Sequence, residues 1–299
     1  MLTPRSYFLN TSLKQSFNKP FLNLDEQIEQ LKSRGMKFHD EENAKHYLGN
    51  LNYYRLGGYW LLFKENHATH SFKKETFFED VLNLYIFDRE LRLLILDAIE
   101  RIEVSIRSKL AYYLANSFGS HAHLKPEIFL SPLKYARTLT KLKSEIDRNR
   151  HEVFLKHHLT KYNEKLPPIW VCVEVMTMGQ ISNWYSNIQE RQYRQEISRY
   201  YGLDEKILCS FLHHLTTVRN ASAHHSRIWN KKFTIDFTLP NNPKELGNKF
   251  NSSRKKYIYN TLVMCEYLMN IISEKSHWKQ RLDDLIKKHK IHTKRMGYK

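Results

Sequence analysis

Between residues 76 and 113 apolar side chains recur at three-and-four spacing: Leu84, Phe87, Leu91, Ile95, Ile99, Ile102, Ile106, Leu110 and Tyr113. Only an α-helix gathers that spacing into one stripe, here over about eight turns. A stripe of that length has to be covered by other helices, so this stretch predicts a helical bundle. Thr76 and Glu79 have the spacing of a capping box, and Gly119 predicts the end of the helical region. Asp88/Arg92, Asp97/Arg101 and Glu103/Arg107 are acid-then-base pairs four apart, which support a helix and read as charges on its solvated face.

Most of the remaining chain also reads as helix. Asn23 and Glu26 form a second capping-box pattern, and Gly35 predicts the stop. A short helix is expected over 41–48, and the pair Gly57-Gly58 predicts a break between aromatic residues. Residues 67–74 are polar and read as a loop. Ser131-Pro132 is a helix start, with a basic helix expected to continue to about Tyr162. Further helices are expected over 170–188, from Asp204 to about Ala223, over 252–272 and over 278–289. Residues 239–251 read as a loop, and the basic tail from Lys287 as frayed. Residues 232–238 alternate apolar and polar side chains like a strand but have no partner strand in the sequence. The class predicted is all-α, with an N-terminal helical segment over 1–75 and a larger helical domain over 76–299.

Charge narrows the partners. The 299 residues hold 48 Lys and Arg against 31 Asp and Glu, a net of +17. Such a field attracts polyanions, and RNA, DNA or anionic lipid could each supply the negative partner. The candidates for RNA contact are Arg55, Lys141, Arg227, Lys231 and Lys232, with Tyr and Trp near Arg55 and Arg227 as stacking surfaces. Three scattered cysteines offer neither a disulfide framework nor a zinc set, which fits a reducing, cytoplasmic setting. Cys209 and His213, four apart, lack further ligands at metal spacing, so neither a metal nor a cofactor is expected. No apolar run approaches a membrane span, and no glycine-rich phosphate loop or helix-turn-helix is visible.

The chemistry concentrates in Arg219-Asn220-Ala221-Ser222-Ala223-His224-His225-Ser226-Arg227. If all of it is helical, Asn220, His224 and Arg227 share one face, with Arg219 reaching in from the edge. Small residues at 221–223 would leave room for a substrate. A cation, an amide and an imidazole suit cleavage of an RNA phosphodiester. Histidine moves protons near neutral pH, arginine stabilises charge on phosphate oxygens, and an amide can orient either group. No metal is required, because RNA carries its own 2′-hydroxyl nucleophile. By spacing alone the same residues also fit a plain helix terminus.

Four blocks in order carry a resemblance that separates these readings: Tyr53-Tyr54-Arg55-Leu56-Gly57-Gly58-Tyr59; Asp88-Arg89-Glu90-Leu91-Arg92 with Glu100-Arg101-Ile102-Glu103; Trp170 to Gly179; and Arg219-Asn220-x-x-x-His224-His225 with Arg227-Ile228-Trp229-Asn230. Together they resemble the Abi-like (AbiD/AbiF) abortive-infection proteins of bacteria. The resemblance implies a HEPN-like helical bundle, related to the nucleases of type VI CRISPR effectors. It implies Arg219, Asn220 and His224 as the catalytic set of a metal-independent endoribonuclease toxin of phage defence. It further implies a homodimer that brings two motifs together, and restraint by a small non-coding antitoxin RNA. The alternative is a non-catalytic protein that holds a structured RNA.

Overall fold

The computed structural model describes Ser16 and residues 18–299. Among these the regular elements are helices, with only isolated bridges of extended backbone. They are α1 (Leu24–Ser33), α2 (Glu41–Asn50), α3 (Tyr53–Trp60), α4 (Phe78–Phe118), α5 (Pro132–Arg148), α6 (Val153–Lys161), α7 (Ile169–Cys172), α8 (Met178–Asn187), α9 (Arg191–Arg199), α10 (Glu205–Ala223), α11 (Lys244–Lys249), α12 (Ile258–Ile272) and α13 (Trp278–Lys288). The all-α prediction holds. The chain divides into two compact units, one ending at Leu82 and the other Asn83–Lys299.

In the N-terminal unit α1 packs on α2. The Asn23/Glu26 capping box forms, and Gly35 turns the chain with φ +90°. The Thr76/Glu79 box does not form. Glu79 instead accepts the N–H groups of His39 and Asp40 at 3.2 Å, and Asp80 takes the Phe77 N–H. Gly57 and Gly58 do not break the chain either, since both lie inside α3. Two glycines weaken a helix by about 1 kcal/mol each. Burial of Leu56, Tyr59 and Trp60 on that helix outweighs the loss.

In the larger unit α4 is the spine. Its predicted stripe is buried from Leu84 to Leu110. Successive segments are tied to it: His289 to Asn83, Trp278 by its indole N–H to the Leu94 carbonyl at 2.8 Å, Arg281 to Asp97, and Tyr201 to Ser105. Helix α8 packs against α5 on one side and α10 on another, and α9 also packs on α10.

Several predicted boundaries shift for local reasons. The basic helix stops at Arg148, where the C-cap residue Asn149 adds a side-chain bond of 2.8 Å to its backbone bond on the Glu145 carbonyl. The helix expected over 170–188 is split, since Thr177 and Gln180 form a capping box that starts α8 afresh. Residues 232–238 form no strand and pair with none. Phe233 and Phe237 bury around the His214 ring, whose Nδ1 lies 2.6 Å from the Ile235 carbonyl oxygen. The short helix α11 lies within the loop expected over 239–251. The basic tail is docked: Met296 is buried and Asn251 donates to the Gly297 carbonyl at 2.9 Å.

Candidate functional site

Helix α10 starts at the Asp204 cap and buries Leu208, Phe211, Leu212, Leu215 and Val218. That apolar face fixes its rotation. Asn220 and His224, four residues apart, consequently come to the exposed side together. Arg219 is half-buried, and its Nη1 donates to Asn220 Oδ1 at 3.4 Å. The long guanidinium arm thus bridges the roughly 100° between successive residues. The three predicted catalytic residues occupy the last turn of one helix, with two side chains in solvent.

The helix then ends in a defined turn. His224 is the C-cap, and His225 adopts the left-handed conformation with φ +57°. The Ser226 N–H reaches back to the Ala221 carbonyl at 2.9 Å, and the His225 N–H to the Ser222 carbonyl at 3.1 Å. This is a Schellman turn with histidine at the position that glycine usually takes, and histidine is among the side chains that tolerate it better than most. Two expectations are corrected here. Arg227 lies past the helix end and does not continue the face of Asn220 and His224. Ala221 and Ser222 are buried against the core, so of the small residues only Ala223 leaves open space.

What holds the turn comes from α4. The Asp88 carboxylate, 0 % exposed, accepts the N–H of Ile228 at 3.1 Å and of Trp229 at 2.6 Å. Arg92, 4 % exposed, pairs with Asp88 and donates to the Ser226 carbonyl at 3.5 Å. The reading of Asp88/Arg92 as a solvated pair is therefore wrong. Glu103/Arg107 is likewise part-buried, with Arg107 donating to the carbonyls of Glu174 and Met176. Arg101 remains at the surface, where Arg281 of α13 joins it on the half-buried Asp97.

Residues 46–230 match the Abi-like protein family. The chain belongs to that family. No curated protein and no solved structure matches it. The Abi-like designation suggests a role in abortive infection, a form of phage defence. The matched span contains α4, the Arg107-bound segment and the whole Arg219–His224 motif. In this Abi-like chain the blocks at 88–92 and 219–230 meet through the Asp88 and Arg92 contacts. Arg107 of the same helix reaches the block at 170–179.

The other predicted RNA contacts are distributed over separate elements. Lys141 is exposed on α5, which packs on α8. Lys231 and Lys232 follow the turn, with Lys231 Nζ 5.5 Å from the Phe233 ring centroid. Arg55 is exposed on α3 in the N-terminal unit. Among the described residues no group of three or more His, Cys, Asp or Glu is placed to hold a metal ion. No described helix is long and apolar enough to cross a membrane.

Proposed function

We propose that this Abi-like chain is a metal-independent endoribonuclease toxin of bacterial phage defence, built as a HEPN-like bundle and active as a homodimer. The observation that carries the reading is the joint exposure of Asn220 and His224 on the last turn of α10, with Arg219 bridged to Asn220. A titratable imidazole, an amide and a guanidinium are thereby offered to solvent on a basic protein of net charge +17.

In this reading His224 is the general acid–base. It takes the proton of an RNA 2′-hydroxyl as that oxygen attacks the adjacent phosphorus. The 2′-O–P bond forms, the P–O5′ bond breaks, and an imidazolium returns a proton to the departing 5′-oxygen. The products are a 2′,3′-cyclic phosphate and a 5′-hydroxyl. Arg219 neutralises charge building on the phosphate oxygens, and Asn220 fixes the orientation of its neighbours. Each chain carries one such motif, so in this reading a second copy brings the second Arg219–Asn220–His224 set to the scissile phosphate. Arg227, Lys231, Lys232, Lys141 and Arg55 contact RNA, which is both substrate and, as a small non-coding RNA, restraint.

The test is cleavage of end-labelled RNA by the purified protein stripped of copurifying nucleic acid. Cyclic-phosphate ends in EDTA, absent with His224→Ala, are expected. Salt-sensitive binding without cleavage by the wild type would overturn the nuclease and leave a protein that only holds RNA.

A further inference from the structure

Resting on the nuclease reading, we infer that Asp88, acting through Arg92 and the backbone of residues 226–229, is a positioning residue for His224. The argument starts from where His224 is placed. It is the C-cap of α10, and helix ends fray because their last carbonyls lack partners within the helix. A proton-transfer group on a fraying end holds no fixed geometry, and small misplacements carry large losses in rate.

The structure pins this end from both sides. Upstream, the His224 N–H bonds the Asn220 carbonyl at 3.0 Å. Downstream, the chain is held at the Ser226 carbonyl by Arg92 and at the Ile228 and Trp229 amides by Asp88. His224 and His225 lie between the two sets of pins. The downstream pins belong to α4, a 41-residue helix with its apolar stripe buried, so they tie the motif to the longest helix among the described residues.

Stability alone does not account for the arrangement. Ile228 and Trp229 are already buried, and apolar packing stabilises a segment at least as well as a buried ion pair does. The surroundings are also kept at local expense. Ser222 Oγ and Trp229 Nε1 are buried with no hydrogen-bond partner among the described residues. A carboxylate differs from an apolar contact in direction: it fixes two consecutive N–H groups in angle as well as distance. Fixed direction is what the preceding histidine requires.

Two measurements on the full chain test this with Asp88→Asn, which keeps the shape and an acceptor oxygen but loses the charge held by Arg92. Asp88→Glu serves as the conservative comparison. In single-turnover RNA cleavage, the rate constant per folded chain is expected to fall at least ten-fold in Asp88→Asn with little change in the RNA concentration for half-saturation. Asp88→Glu is expected to recover part of the rate. By hydrogen exchange, amides of residues 224–230 are expected to exchange at least ten-fold faster while residues 205–218 keep their protection. A purely structural role would reduce the folded fraction and leave the rate per folded chain at the wild-type value. Wild-type cleavage together with wild-type exchange over 224–230 in folded Asp88→Asn would overturn the inference. If the wild type itself cuts no RNA, the nuclease reading fails separately, and the exchange measurement alone decides whether Asp88 holds the His224 turn.

Discussion

The carboxylate of Asp88 accepts the backbone N–H of Trp229 at 2.6 Å, across 141 positions of sequence. Helix geometry explains why this acid turns inward and others do not. At about 100° per residue, Asp88 falls among Leu84, Leu91 and Ile95 in the middle of the apolar stripe of α4. Asp97 and Arg101 fall on the far side, and Glu103 and Arg107 at its edge. Three pairs with the same four-residue spacing therefore have different surroundings.

Their energetic weights should differ accordingly. Arg101→Ala removes a surface contact and is expected to lower stability by no more than about 0.5 kcal/mol. Arg107→Ala strips donors from the Glu174 and Met176 carbonyls and leaves Glu103 part-buried without its partner, for a loss of about 2 kcal/mol. Urea unfolding of the two variants side by side checks the order. Equal midpoints would show that the Arg107 contacts contribute no more than the surface pair.

Replacing His224 or Arg219 by alanine is expected to abolish RNA cleavage and cellular toxicity. Because His224 is exposed and Arg219 half-buried, stability should move by only about 0.5 kcal/mol or less for the former. Thermal melts distinguish loss of chemistry from loss of fold. Full toxicity of both folded variants would remove these side chains from the mechanism.

A site assembled from two copies makes activity depend on concentration. On dilution through the dissociation constant of the dimer, cleavage per chain is expected to fall in proportion to the dimeric fraction. Light scattering and cleavage rate, measured over the same dilution series, provide the check. A constant rate per chain in a monomeric sample would mean one motif suffices.

Acid should weaken the fold in a defined window. Burial pushes the His123 imidazole down from the ordinary value of 6.5 to about 4. Its Nδ1 has no hydrogen-bond partner among the described residues, and Cys172 Sγ lies 3.6 Å from its Nε2. The unfolded chain binds this proton below about pH 6.5, whereas the folded chain does so only near 4. The stability from keeping His123 neutral is thus full above pH 6.5 and is lost as the pH falls toward 4, by an amount on the order of 3 kcal/mol. Burial lowers His214 as well, in the same sense. Melting temperatures of wild type and His123→Phe between pH 7.5 and 4 test this, with a shallower slope expected in the variant.

The sequence by itself determined the helical class, the span of α4 to within a turn, the caps at Asn23, Ser131 and Asp204, and the position of the Arg219–His224 motif. These follow from local rules: side-chain periodicity and the hydrogen bonding of a few adjacent residues. Tertiary structure decided the rest. It ended α10 at His224 and so separated Arg227 from the face of Asn220. It turned Ala221 and Ser222 inward, split the helix expected over 170–188, and docked the tail. It also carried Asp88 and Arg92 onto the turn after the motif. By its spacing Asp88 read only as the acid of a solvated acid–base pair with Arg92. Its burial and its backbone partners were not legible, because backbone N–H and carbonyl groups are common to nearly every residue and only folding determines which of them arrive at a given carboxylate.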